Sequence, residues 1–150
     1  AIVDRDGEAA RRTSEEIGRH DTLWHEGNVV DAATTTSIFD KMVESWGGID
    51  DLVNNAGTSV RKMPQDFTED EWHHVMDTNL TSAFLCSQAA YHAMLKVGGG
   101  KMINIGSMMS LFGAPYATPY ASSKGGIVQM TRAMATAWRS PPSRSASPCS

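Results

Sequence analysis

Short apolar runs alternate with longer segments of helical spacing, and that alternation restricts the fold more than any other feature of this chain. "AIVD" (1–4) reads as a strand, and "GEAARRTSEEIGRH" follows with Ala9, Arg12, Glu16 and Ile17 on a helical repeat that ends near Gly18. "NVVD" (28–31) is predicted as the second strand. "TTTSIFDKMVESWGG" then places Ile38, Met42, Val43 and Trp46 on one helical face, with Gly47 as its stop. "IDDLVNNAG" (49–57) is a strand running into a tight Asn-Asn-Ala-Gly loop. Thr68 and Glu71 form a capping-box pair ahead of one long helix, on which Trp72, Val75, Met76, Leu80, Ala83, Phe84, Ser87 and Met94 make a wide apolar or small-residue face. "KMINIGS" (101–107) is a further strand, and "TPYASSKGGIVQMTRAMATAW" (118–138) is the last helix. Strands and helices in this order imply right-handed parallel β-α-β units, and so an α/β, doubly wound parallel sheet. Ligands sit at the carboxyl ends of the strands in such sheets, where Asp4, Asp31, Asn54 to Gly57 and Ser107 fall.

The 150 residues, 41% of them hydrophobic, suffice for one domain with a sizeable core. A net charge of -4, with Lys and Arg scattered, argues against a nucleic-acid surface and for a small-molecule partner. Cys86 and Cys149 have no metal-ligand spacing and support no disulfide framework, so the default compartment is a reducing cytoplasm. No apolar run approaches the roughly 20 residues that cross a bilayer. The stretch "RSPPSRSASPCS" (139–150) carries five serines, three prolines and no apolar periodicity, and is expected to be a disordered tail beyond the domain at 1–138.

"YASSK" (120–124) sets Tyr120 and Lys124 on one helical face, about 6 Å apart along the axis. A free phenol is a poor base at neutral pH, but a neighbouring ammonium stabilises the phenolate and suits it to exchange a proton with an alcohol or ketone. Taken alone, such a pair is more often a surface pair. Ser107, thirteen residues earlier at the end of "INIGS", offers a hydroxyl that could bind a substrate oxygen, or serve only a strand-end turn.

"NNAG" (54–57), the Asn in "NLTSAF" (79), "INIGS" ending at Ser107 and "YASSK" (120–124) occur in the order and spacing of the short-chain dehydrogenase/reductase family, which the chain resembles over roughly Ala1 to Trp138. The resemblance implies a hydride-transferring oxidoreductase on alcohols and ketones. It gives Tyr120 the part of general acid/base, Ser107 that of substrate-oxygen anchor, and Lys124 that of binding the nicotinamide ribose and lowering the tyrosine pKa. Asn79 resembles the helix residue that holds a water in the proton relay. Asn54, Ala56 and Gly57 resemble the loop beside the cofactor. Asp4 stands where the family reads the adenosine ribose, so NAD is favoured over NADP, against which Arg5 weighs. Asp31 resembles the residue that touches adenine, and is equally suited to cap the helix that follows.

The family's first strand, with its Gly-rich turn, has no counterpart here, nor do its last strands. The sheet is therefore expected to be incomplete, with unpaired edges, and the polypeptide as given to bind NAD poorly. "SMMSLFGAPYATPYASSK" looks most like dehydrogenases of sugars, polyols and sugar acids. A reductase of 3-oxoacyl thioesters and a non-catalytic fragment acting through helix association are the competing readings. Relatives build dimers and tetramers from the Trp72 and Tyr120 helices, which implies a homo-oligomer. Met108 and Met109 are candidates for a substrate pocket. His73 and His74 point about 100° apart, and no third ligand is spaced to join them as a metal site.

Overall fold

Capping chemistry sets the helix boundaries in the computed structural model, which describes residues 1–138. The first strand, β1 (Ile2–Asp4), leads into α1 (Gly7–Ile17), whose Asp6 side chain accepts the Ala9 N–H at 3.0 Å. Gly18 ends α1 at φ 67°, a conformation that glycine adopts without a Cβ penalty. The second strand, β2 (Trp24–Glu26), is followed by α2 (Ala32–Trp46), which is capped by Asp31 and stopped by Gly47 at φ 81°. The third strand, β3 (Asp51–Asn54), precedes α3 (Glu69–Met76), where Thr68 and Glu71 make the expected reciprocal capping box. A π-turn over Asp77–Thr81 joins α3 to α4 (Ser82–Lys96). The strand β4 (Lys101–Asn104), a single 3₁₀ turn (Met108–Ser110) and α5 (Thr118–Trp138) complete the described chain. The serine-rich tail expected at 139–150 lies outside the described residues.

The second strand is not "NVVD". It begins four residues earlier, because Gly27 gives its N–H to the Asp4 carbonyl and the Asp31 N–H then closes a turn on Asn28. A Cβ on Gly27 would stand 2.6 Å from the end of the Ile38 side chain, which would have to shift to make room. Val29 packs on the core from that turn rather than from a ladder. Asp31 is accordingly a helix cap five residues beyond β2, not a strand end.

Both pairings are parallel: β1 with β2 (Ile2 opposite Trp24) and β3 with β4 (Asp51 opposite Lys101). The α/β alternation is as expected, and among the described residues the strands form two separate two-stranded ribbons. Helices α2 and α4 roof both. Ile38, Phe39, Met42, Cys86, Ala90, Ala93 and Met94 form one buried cluster against Val3 from the first ribbon and Leu52 and Met102 from the second. A cavity of about 800 Å³ lies between the ribbons, bounded by Val3 and Asp4, by Leu52 to Asn54, and by Cys86. Val53 and Ile103, 54% and 52% exposed, give the second ribbon apolar residues on its other face too, as in strands built to be covered on both sides.

Of the expected face of the long helix, Val75, Ala83, Ser87 and Met94 are buried and Met76 and Leu80 half-buried, whereas Trp72 and Phe84 are exposed; Asn79, Ser82, Cys86 and Ala90 join the buried stripe. Small side chains on this stripe let α4 approach α2 and β3 closely. No helix among the described residues is long and apolar enough to cross a membrane.

Candidate active site

The end of β4 and the first turns of α5 meet at one corner of the molecule. Lys124 is 5% exposed, and its ammonium Nζ donates to the Ile105 carbonyl at 2.6 Å. That nitrogen lies 5.8 Å from the centre of the Tyr120 ring. Burial lowers the pKa of Lys124 from its ordinary value, since removing water disfavours the charged form. One donor is committed to Ile105, and two N–H groups remain for other partners.

Ser107 lies just past β4. Its Oγ accepts the Met109 N–H at 3.2 Å, so the hydroxyl hydrogen remains available to an outside oxygen. The Ser107 N–H donates to Ser110 Oγ at 3.1 Å, and Ser110 Oγ donates to the Lys124 carbonyl at 2.8 Å. The turn carrying Ser107 is thereby fastened to the turn of α5 carrying Lys124.

Asn79 approaches from the other side of α5. A π-turn gives one extra residue to a helical turn and re-aims the side chains within it, and Asn79 is 1% exposed. Its Oδ1 accepts the Thr58 N–H at 2.7 Å, while Nδ2 donates to the Thr58 carbonyl at 3.0 Å and to Ser123 Oγ at 2.9 Å. Ser123 Oγ in turn donates to the Tyr120 carbonyl at 2.8 Å. One connected network therefore runs from the loop after β3, through the π-turn, to the backbone of Tyr120.

Gly57 closes that loop against the same corner. A Cβ placed there would lie 3.6 Å from Asn79 Oδ1 and 3.9 Å from Lys124 Nζ, so bare backbone faces the buried ammonium. Asn54 turns its amide inward, where Nδ2 meets Asn104 Oδ1 at 2.8 Å, Ser87 Oγ at 3.0 Å and the Ala83 carbonyl at 3.3 Å. Asn104 passes the chain on to Thr131 Oγ1 at 2.9 Å. Ala56 and Gly57 are exposed at the rim of the large cavity.

The other candidates stand apart from this corner. Asp4 and Arg5 line the far end of the cavity, and Asp4 Oδ1 accepts the Asp6 N–H at 2.9 Å. The Asp31 carboxylate accepts from the hydroxyl of Thr34 and from its N–H, and the hydroxyl bond foremost holds its pKa below the usual carboxylate value. Met108 is 78% exposed, and Met109 is half-buried. Ser107, Tyr120 and Lys124 do not line the large cavity, which comes toward their corner at Asn55 to Thr58 and at Thr78.

Sequence reasoning missed Ser110, Ser123 and Asn104, and the part that the Thr58 backbone plays. The available signal was polar residues among small and apolar ones on helical faces: Ser87 and Ser123 are both 0% exposed.

Residues 1–141 match the family described as short chain dehydrogenase. The chain is 43% identical over 103 residues to 2-dehydro-3-deoxy-D-gluconate 5-dehydrogenase of Escherichia coli K12, covering 68% of this chain and 41% of that protein. It is 35% identical over 108 residues to the 3-oxoacyl-[acyl-carrier-protein] reductase FabG of Vibrio cholerae, covering 72% and 44%. The crystal structure of a gluconate 5-dehydrogenase from Burkholderia cenocepacia, in complex with NADP and tartrate, superposes with a TM-score of 0.82 at 34% identity, covering 91% of this chain and 55% of the other. The chain thus spans about half the length of the relatives it matches. With the family model, the relatives and the parallel α/β fold in agreement, the chain belongs to the short-chain dehydrogenase family.

Proposed function

We propose that this chain carries the acid/base corner of an NAD(P)-dependent oxidoreductase that interconverts a secondary alcohol and a ketone, with a sugar acid, sugar or polyol as substrate. The observation that carries it is that two hydrogen-bond chains converge on the first turns of α5: Ser107 through Ser110 to the Lys124 carbonyl, and Asn79 through Ser123 to the Tyr120 carbonyl. The Ser107 hydroxyl donates to the substrate oxygen and orients it. The Tyr120 hydroxyl gives a proton to that oxygen in reduction and takes one from it in oxidation. Lys124, held by Ile105, places positive charge beside the ring and stabilises negative charge that develops on the phenol oxygen. Asn79 holds the Thr58 segment and α5 at a fixed spacing.

The residues present fit the nicotinamide end of a dinucleotide: Lys124 has spare donors for ribose hydroxyls, and Gly57 leaves the space beside them open. When bound, the dinucleotide supplies the hydride acceptor or donor. Asp4 supports NAD at the adenosine end, since a carboxylate accepts ribose hydroxyls and repels a 2′-phosphate. Arg5 on the same wall, and the NADP in the Burkholderia structure, favour NADP. Because a bare carboxylate disfavours the phosphate directly, NAD is the preferred partner in this proposal.

Likeness to the Escherichia coli protein supports the sugar-acid class, while likeness to the Vibrio reductase favours a 3-oxoacyl thioester as the second substrate class. Exposed Trp72 and Phe84 support association of copies through the long helix. Purified protein assayed with D-gluconate and with a 3-oxoacyl thioester, each with NAD(H) and NADP(H), distinguishes the substrate classes. The Tyr120→Phe variant is expected to lower kcat about 10³-fold with either class. Activity that survives this substitution would favour a non-catalytic role for this corner.

A further inference from the structure

Resting on that reading, we infer that Ser110 is a positioning residue: its hydroxyl sets the place of Ser107 relative to Tyr120 and Lys124. Ser110 Oγ makes two bonds of different kinds. Accepting the Ser107 N–H at 3.1 Å is ordinary local capping of the 3₁₀ turn. Donating to the Lys124 carbonyl at 2.8 Å is not, because it spans fourteen residues and ends on the backbone of the lysine itself. A capping serine has no need of that second bond.

A second bond ties the same segment to Lys124. Lys124 Nζ bonds back to the Ile105 carbonyl, two residues before Ser107, so the segment 105–110 meets Lys124 at two points. Removing the hydroxyl takes away the hydrogen bond between the 3₁₀ turn and α5, and leaves the Nζ bond to the Ile105 carbonyl as the hydrogen bond tying this segment to Lys124. The Ser107 hydroxyl would then drift from the oxygen that Tyr120 must also reach, and misplacements near 1 Å lower rates by roughly a hundred-fold.

The test compares Ser110→Ala, which loses both bonds, with Ser110→Thr, which keeps a hydroxyl. Amide hydrogen exchange of the peptide containing Ser107 should quicken about ten-fold in Ser110→Ala, with α1 and α2 unchanged, and return to normal in Ser110→Thr. With D-gluconate and NAD, kcat should fall about ten-fold in Ser110→Ala, the KM for the dinucleotide should stay unchanged, and the threonine should restore the rate. Unchanged exchange at Ser107, equal quickening across the whole chain, or failure of threonine to restore either quantity would overturn the inference. If exchange behaves as expected while the wild-type protein oxidises no alcohol, the clamp stands and the proposed function falls.

Discussion

Lys124 brings a charge to a place where charge is unfavourable. At 5% exposure its ammonium keeps one strong bond, to the Ile105 carbonyl, and burial lowers its pKa from the ordinary 10.5. The folded chain therefore gives up this proton at lower pH than the unfolded chain does. Between the folded pKa and 10.5 the unfolded state binds more protons, so the contribution of this group to stability rises with pH across that window. Urea titrations of the wild type should show this rise below 10.5, and Lys124→Met should flatten it. A rise of the same size in both proteins would assign it to another group. The sequence made Tyr120, Lys124 and Ser107 legible because chemistry fixes their types and spacing. Ser110 and Ser123 were not legible, because a serine whose partner lies on another element looks like any other serine until the chain is folded.

At the scale of elements, glycine and capping residues were the readable part. Gly18, Gly47 and the Thr68 and Glu71 pair stand where the sequence put helix ends, since φ above zero and unpaired N–H groups admit few side chains. The second strand was misread because Val29 and Val30 carry β-branched side chains, while pairing depends on which backbone groups β1 leaves open. The π-turn was invisible, because one extra residue in a turn needs no special composition. Its consequence is testable through Asn79, whose amide makes three bonds that tie the Thr58 loop and α5 to the π-turn. Asn79→Ala should destabilise the fold by about 1–3 kcal/mol in chemical denaturation, because the Thr58 N–H is left buried without its partner. A loss below about 0.5 kcal/mol would mean that the π-turn holds the loop by packing alone.

For the whole molecule, the parallel α/β plan followed from alternation, but the separation into two ribbons roofed by α2 and α4 is a matter of pairing that no local pattern specifies. Cys86 reports on that arrangement from within, since it lies on the wall of the cavity between the ribbons at 7% exposure. Burial pushes its thiol up to about 11, partly offset by a hydrogen bond with Thr35. Because the thiolate is the reactive form, alkylation of Cys86 near pH 8 should be roughly a hundred-fold slower than in the unfolded chain, and should quicken as pH rises toward about 11. Replacing Cys149 with Ser leaves Cys86 as the single thiol to follow by mass spectrometry. Rapid alkylation at pH 8 without denaturant would show the ribbons parting in solution.

The most direct measurement follows a carbon-bound deuterium from a sugar-acid alcohol labelled at its carbinol carbon. Mass spectrometry of the nicotinamide should find that deuterium on its ring after incubation with the wild-type protein, and find the transfer about 10³-fold slower with Tyr120→Phe. Absence of label on the ring, or equal transfer by both proteins, would contradict a phenol that moves the proton while hydride leaves carbon.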